Sequence, residues 1–501
     1  MRMVSKKKAA KKTAKRASKK SAKKVVKKAA KKTAKRVPKK AAKKAVKKSA
    51  KKVAKTATKK TARRTATARK TRVEEPLVLQ PLRGMRDILP GDQPYWEQVR
   101  RVLNKAAQEY GFNRIQTPLV EFENLFVRSV GSTTEVVQKE MYSFVTRGGD
   151  RVALRPELTA GNVRAFIQHG MNVWPKPVKL FSMGPVYRYD RPQEGRYREH
   201  VQGNFDIYGE SDPIIDAQMV QMAHRILHSL GIKDVVFHIN SIGTPKTRAA
   251  YKKKLTKYLE KYRRKIPAEL RAFITDNPFR ILDAKDPVCA EIAAGAPRAV
   301  DALDPESKEH FARFVEYLDE LGITYVKDDT LVRGLDYYTQ TVFEVFVRGE
   351  GGKRRSLGGG GRYDALIKAL GGEDMPAMGF GLGLDRIVLE MKRVHAKSYE
   401  LPRPRVFLAQ LGDLAKKKSL TIFAMLQKAG ILTSESFGRG NLRAQLRKAE
   451  RSGVDVAIII GQKEALDGTV ILKDMMSGSQ ETVDVDKMVP TVKKLLKNIS
   501  K

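Results

Sequence analysis

The stretch "RGLDYYTQTVFE", residues 333 to 344, sets Arg333, Asp336, Tyr337 and Tyr338 together at the mouth of a β-branched, aromatic strand. A guanidinium beside two phenols can steady an anion next to an aromatic wall. A polar loop that merely precedes a strand is the plainer reading. Three other stretches also place polar side chains at element ends. In "LRPELTAGNVRA", Glu157 and Thr159 stand just before a helix, where a carboxylate either holds an ammonium or caps the helix. "YRYDRPQEGRYREHVQGNFD" ends a strand at Arg188, carries Arg191, Arg196 and Arg198 through a loop, and puts Gln202 and Asp206 on the next strand. Four arginines across one hairpin are costly to gather unless an anion sits among them. The glycines of "GFGLGLDRIVLEM", Gly379 to Met391, let a strand pass close to a ligand and turn into a helix with Arg386 in its first turn. A lone Gly-rich turn is a weak signal. With Arg188 it supplies two guanidiniums from separate elements, an arrangement able to grip a triphosphate attacked at its α-phosphorus.

These residues need a scaffold, and the periodicity supplies one. From Asp92 a helix is signalled by an N-cap aspartate, Pro94 in the first turn and Trp96, Val99, Leu103, Ala106 and Tyr110 at three- and four-residue steps. "GFNRIQTPLVE" reads as a strand ended at Pro118, and "VKLFSMGPVYRYD" and "HVQGNFDIYGE" as two strands joined by the basic loop. "DVVFHINSIG" and "TVFEVFV" alternate as strands, with a Lys-rich helical stretch between them. The expectation is an α+β fold: a largely antiparallel sheet flanked by helices and carrying a helical insertion. Beyond "LPRPR", residues 401 to 405, strands and helices alternate over about 100 residues as a small α/β domain. The expected boundaries are an arm over 1–76, a first sheet segment over 77–244, the insertion over 245–330, a second sheet segment over 331–400 and the last domain over 401–501.

Charge divides the chain more sharply than any motif. Residues 1 to 73 hold 34 Lys and Arg and no acid, so of the formal +46 only +12 belongs to residues 74 to 501. The block "KKAAKKTAKR" occurs at Lys7–Arg16 and again at Lys27–Arg36, and the 73 residues contain no Leu, Ile or aromatic side chain. Such a segment cannot bury enough apolar surface to offset its ordering entropy, so a disordered basic arm is expected. It resembles the tail of a linker histone, and it points to non-specific binding of DNA or RNA by counterion release. A solvated tail or a targeting peptide is the competing reading, although the apolar helical face of a transit peptide is missing. The single Cys289 excludes an internal disulfide. The scattered histidines show no ligand spacing, so no protein-held metal is expected. No apolar run approaches the roughly 20 residues of a membrane span, and a cytoplasmic protein is expected.

Together the Glu157, Arg188–Asp206 and Gly379–Met391 stretches resemble the signature motifs of class II aminoacyl-tRNA synthetases. "RGLDYYTQTVFE", "GGGGRYDALIKALGG" and "PAMGFGLGLDR" resemble the histidyl-tRNA synthetase family in particular. The resemblance runs from about Pro81 to the C-terminus, includes "INSIG", "NPFRILDAKD" and "VDVAIIIGQKE", and stops short of the arm. It implies a class II catalytic fold with a C-terminal anticodon-binding domain, and ATP-dependent ligation of L-histidine to tRNA(His) through an adenylate. It also implies residue roles. Arg333 would meet the histidine carboxylate and the α-phosphate, and Tyr337 and Tyr338 would wall the imidazole. Asp206 would take a ring N–H, and Glu157, Thr159 and Gln202 would hold the α-ammonium. Arg188 and Arg386 would clamp ATP with Mg2+, while Arg191, Gln193 and Arg196 would face the tRNA acceptor end. Many bacterial members carry glutamate where this chain has Asp206, which shortens that acceptor by one methylene. A homodimer built on the first long helix and strand of the body is implied as well. The alternative is a catalytically silent regulatory or tRNA-sensing relative, which typically lacks the C-terminal domain present here.

Overall fold

The computed structural model describes residues 79–282, 284, 286–348, 354–438 and 441–499. The basic arm expected over 1–76 lies outside them. In the body, eleven short stretches become strands: β1 (Asn113–Arg114), β2 (Val120–Phe122), β3 (Ser143–Val145), β4 (Arg151–Leu154), β5 (Val178–Tyr187) and β6 (Glu199–Tyr208). After these come β7 (Val235–Ser241), β8 (Tyr325–Lys327), β9 (Thr339–Arg348), β10 (Arg354–Arg362) and β11 (Ala377–Gly383). Eight of them form one sheet in the order β1-β5-β6-β11-β10-β9-β7-β8. Only the edge pairs β1–β5 and β7–β8 are parallel, and every inner pair is antiparallel. The expected antiparallel sheet is therefore present, and β2, β4 and β3 make a separate small one.

Because side chains alternate along a strand, the two faces of the main sheet differ in character. On one face Phe181, Phe205 and Phe380 stack across three neighbouring strands at 4.6 and 5.1 Å between ring centroids. Helices α1 (Gln93–Glu109), α2 (Thr159–Gln168), α3 (Pro213–Ser229), α5 (Pro305–Glu320) and α6 (Leu384–Arg393) accompany the sheet, while α4 (Pro245–Glu260) packs in the insertion. The aromatic face is covered by α1, α3, α5 and α6, which bury Val99, Leu103, Val220, Phe314 and Ile387 against it. Each such side chain contributes about 1.5–3 kcal/mol on burial. The opposite face buries Val178, Leu180, Tyr208 and Val342 in a second apolar cluster with Val163 and Phe166 of α2. The rest of it is polar and glycine-rich, and that part is available for chemistry.

Three expectations are corrected here. Asp92 does not cap α1: its backbone is helical (φ −92°, ψ −19°), whereas a capping residue is extended, and its carboxylate pairs with Lys392 instead. The strand expected up to Pro118 shrinks to Asn113–Arg114, because the Thr117 and Pro118 carbonyls accept from Arg155 Nη1 at 2.9 and 3.4 Å. The buried core of the insertion, with Tyr251, Leu255, Ile274 and Ile292, ends at Ala299, and Ala302 and Val332 pack against it half-buried. Helix α5 belongs to the main core, so residues 305–330 pack with the sheet rather than with the insertion.

The C-terminal domain carries β12 (Val406–Gln410), β13 (Thr433–Glu435), β14 (Val456–Ile460), β15 (Thr469–Asp474) and β16 (Gln480–Asp484), ordered β13-β12-β14-β15-β16. Its first three strands are parallel and the last two antiparallel, a mixed sheet of the expected α/β kind. Val406, Leu408, Val456 and Ile458 bury one face under flanking helices.

Candidate active site

On the polar face of the main sheet the period of two brings Gln202, Asn204 and Asp206 of β6 to one side. Opposite them in register lie Gly383, Gly381 and Gly379 of β11, and beyond those Gly359 and Gly361 of β10. Here glycine answers a close approach. A Cβ on Gly379 would stand 2.5 Å from Asp206 Oδ1 and 2.8 Å from the Tyr363 hydroxyl, and one on Gly361 would stand 3.0 Å from the Tyr338 ring. The result is a floor without side chains beneath a cavity of about 710 Å³.

One end of the cavity is aromatic. Tyr337 and Tyr338 lie 4.7 Å apart between ring centroids, and Tyr363 meets them nearly edge-on at 5.5 and 6.5 Å. Burial pushes all three hydroxyls up, so each remains a neutral donor. Below Tyr363 lies Asp206, fully buried, with Oδ1 accepting from the Tyr363 hydroxyl at 2.6 Å and Oδ2 from Asn162 Nδ2 at 2.8 Å. Burial lifts this carboxyl to about 6, against the pull of those two hydrogen bonds. Asp206 thus sits under the cavity wall, while Tyr363 lines the cavity itself.

Beside the tyrosines, Glu157 accepts from the Thr159 and Ala160 amides at 2.6 and 2.7 Å, so it does cap α2. It also lines the cavity. Burial raises its carboxyl to about 7; the two amides and Arg188 oppose the rise and Asp206 adds to it. Thr159 Oγ1 accepts from Asn204 Nδ2 at 2.9 Å, and the Asn204 carbonyl oxygen has no partner among the described residues. Arg333 pairs through Nη1 with Glu344 of β9 at 2.9 Å, while its buried Nε has no partner among the described residues. Unsatisfied buried polar atoms in a cavity are costly in the empty protein and mark where a polar ligand fits.

The other end is cationic. Arg188 Nε donates to Pro156 O at 2.9 Å. Arg386, in the first turn of α6, donates to Gly195 O at 3.1 Å and to Ser356 O at 2.8 Å. Burial pulls the Arg386 guanidinium below its ordinary range. Carbonyls orient both arginines without neutralising them. In the loop between β5 and β6, Arg196 pairs with Asp190, and Gln193 and Arg196 exchange backbone hydrogen bonds at 3.1 and 2.9 Å. Gln193 and Arg196 line the cavity, whereas Arg191 is exposed and takes no part in its lining. His200, also in the wall, is held neutral: burial and the nearby Arg188 bring it down to about 3.

The structure therefore gathers Glu157, Thr159, Arg188, Gln193, Arg196, Gln202, Arg333, Tyr337, Tyr338 and Arg386 around one cavity and leaves Asp206 beneath it and Arg191 outside it. Sequence reasoning passed over Asn204, Glu344 and Tyr363. Asn204 was within reach, since it lies midway between Gln202 and Asp206 at strand period. The model of the family described as "Histidyl-tRNA synthetase" matches residues 84–387, and that of "Anticodon binding domain" matches 405–495. A histidine–tRNA ligase of Dehalococcoides mccartyi is 43% identical over 412 residues, covering 82% of this chain and 98% of its own. One from Pelotomaculum thermopropionicum is 40% identical over 404 residues, covering 81% and 95%. The crystal structure of apo S. aureus histidyl-tRNA synthetase is similar at a TM-score of 0.68 and 31% identity, over 83% of this chain and 99% of that one.

Proposed function

As a member of the histidyl-tRNA synthetase family, this chain ligates L-histidine to tRNA(His) with ATP, and we propose that the cavity on the glycine floor divides that work among its walls. The observation that carries the assignment is the pairing of an aromatic, carboxylate-bearing end with an end where Arg188 and Arg386 form no ion pair among the described residues. Histidine enters the first end. Glu157, Thr159 and Gln202 hold its ammonium, and Tyr337 and Tyr338 enclose the ring. The Asp206–Tyr363 pair receives the ring N–H, with the carboxylate acting from below. A pocket that pairs both edges of a neutral imidazole rejects isosteres strongly, because a wrong ring leaves buried polar groups unpaired.

ATP then lies along the glycines with its phosphates between Arg188 and Arg386. The histidine carboxylate is already an adequate nucleophile, so no general base is required and positioning supplies much of the rate. Its oxygen attacks the α-phosphorus, the bond to the bridging oxygen breaks, and pyrophosphate leaves with that electron pair. Arg333, freed from Glu344 in part by the arriving anion, balances the charge that develops. The terminal ribose hydroxyl of the tRNA next attacks the adenylate carbonyl and expels AMP, with Gln193 and Arg196 at the acceptor end. Among the described residues there is no cluster of three His, Cys, Asp or Glu side chains. A magnesium ion would come with the phosphates, and Glu344, a carboxylate in the cavity lining, is the residue that would hold it. When bound it would supply neutralisation of phosphate charge.

The same reading includes a homodimer, supported by Leu119, Val120, Phe122, Phe144 and Val145, exposed together around the small β2-β4-β3 sheet. It includes non-specific nucleic-acid binding by the arm, supported by the 34 cations of residues 1–73. A cytoplasmic location belongs to it too; no helix among the described residues is long and apolar enough to cross a membrane. The test is ATP–pyrophosphate exchange by the full chain with each amino acid in turn, and with Arg333→Ala alongside. Exchange with histidine alone, abolished in the variant, is the expected result. A folded chain without exchange would point instead to a catalytically silent, regulatory or tRNA-sensing relative.

A further inference from the structure

Six arginines line the cavity, and three of them are neutralised: Arg196 by Asp190, Arg333 by Glu344 and Arg355 by Glu390. Arg188, Arg386 and Arg354 form no ion pair among the described residues. The first two are anchored by carbonyls, as described above. Arg354, at the rim, is anchored differently. Its Nη1 lies 2.9 Å from His238 Nε2 and 3.1 Å from His238 Nδ1. Near-equal distances to both ring nitrogens place the guanidinium over the imidazole rather than along one lone pair. Its guanidinium carbon lies 5.6 Å from the centroid of Phe346, whose ring meets His238 edge-on at 4.8 Å. The imidazole is itself fixed, since Nδ1 is 2.8 Å from Asp328 Oδ2, which in turn accepts from no arginine among the described residues. The imidazole face and the nearby Phe346 ring thus hold Arg354 in place, which leaves most of its N–H fork unspent.

The position of Arg354 gives that fork a purpose. It lies two residues before Ser356 on β10, and Arg354, Ser356 and Arg386 all line the cavity. Ser356 O is the atom that orients Arg386 Nη1. We infer that Arg354, with Arg386, forms a further anion subsite at the cavity rim that takes the terminal phosphate of ATP and hence one end of the departing pyrophosphate. Arg354 is the binding group, and His238 and Asp328 are positioning residues that keep the guanidinium over the rim. The inference rests on the assignment of the arginine end to ATP phosphates.

The test compares the full chain with Arg354→Met, Arg354→Lys and His238→Leu. Affinities are measured for α,β-methylene-ATP and α,β-methylene-ADP, together with KM for pyrophosphate and for histidine in exchange. A charge-assisted contact to one phosphate predicts a loss of roughly 10- to 100-fold for the triphosphate and for pyrophosphate in Arg354→Met. The diphosphate and histidine should stay within about twofold. Arg354→Lys should recover part of the difference, and His238→Leu should show the same selectivity with a smaller loss. Equal losses for both nucleotides, a raised KM for histidine, or unchanged triphosphate binding would each overturn the subsite. Absence of histidine-dependent exchange in the unaltered chain would instead sink the functional reading, while triphosphate-selective loss in Arg354→Met would still stand by itself.

Discussion

The side-chain-free floor can be tested by adding one carbon to it. In Gly379→Ala the new Cβ meets Asp206 Oδ1 at 2.5 Å, the Phe205 carbonyl oxygen at 2.8 Å and the Tyr363 hydroxyl at 2.8 Å. The carbonyl is backbone in the middle of a paired strand, so it cannot swing aside, and the methyl must push the Asp206–Tyr363 pair apart. Overpacking of this kind costs about 1–3 kcal/mol. Weakening the 2.6 Å hydrogen bond to a buried carboxylate costs about 1.5–3 kcal/mol more. Because that pair forms the back of the end proposed to take histidine, the second cost should appear as a KM for histidine raised roughly 10- to 100-fold, with KM for ATP changed far less. Histidine-dependent exchange measures both constants, and thermal unfolding reads the packing cost. Gly91→Ala is the control, since nothing lies within 4 Å of a Cβ there. A Gly379→Ala enzyme with unaltered KM for histidine would refute the claim that close approach dictates glycine at this position.

With its carboxyl raised to about 7, Glu157 is protonated below that pH and then cannot hold an ammonium, so kcat/KM for histidine should fall as pH drops from 7 toward 5. The ratio of wild type to Glu157→Gln cancels titration of the substrate's own ring, and a ratio that stays flat over this window would count against the role. The sign for stability is opposite to that of an ion-paired carboxylate: ionising Glu157 costs stability as pH rises from about 4.5 to 7, and the Gln variant should lack that cost in denaturant titrations. Arg362, fully buried, pairs with the equally buried Asp216 at 2.8 Å. Arg362→Met takes away the charge partner of that carboxylate and leaves it His310 Nε2, 2.8 Å from Oδ2. The chain should lose about 3–5 kcal/mol, measured as a fall in urea midpoint, and a change below about 1 kcal/mol would show the arginine pair to be dispensable. Deleting residues 1–73 should flatten the salt dependence of tRNA binding and leave adenylate formation unaltered, and an equal slope in both chains would remove the arm from tRNA capture.

The sheet and most of the cavity could be read from residue types because strand period and strand-end polarity are local signals. Gln202 and Asp206 stand four residues apart, and that spacing alone is enough to place them on one face of a strand. What stayed hidden depended on contacts across long distances. That Tyr363 intervenes between Asp206 and the cavity follows from β11 lying between β6 and β10, a pairing no periodicity reveals. Nor could spacing show that Arg333 would be balanced by Glu344 while Arg354 stacks on His238, since these partners meet only after the sheet is assembled. Asp92 misled for a local reason, as its side chain suits a cap but its backbone had already turned helical. The boundary of the insertion misled for a tertiary one, because α5 looks like its neighbours in composition but buries Phe314 and Leu318 in the other core.

The placement of β11 between β6 and β10 also governs how this protein can emerge from a ribosome. Strand β6 is finished at Tyr208, yet its second neighbour is complete only at Gly383, about 175 residues later. At about 5–20 residues per second, that interval lasts roughly 10–35 s. For all of it the strand bearing Gln202, Asn204 and Asp206 has an open edge, with unpaired amides and carbonyls ready to join a neighbouring nascent chain. Residues 79–244 alone would leave this edge uncapped and Phe205 without the stacking partner Phe380. The N-terminal half of the catalytic unit is therefore not an independent folding unit, and nascent chains stalled before residue 383 should be the ones that chaperones retain.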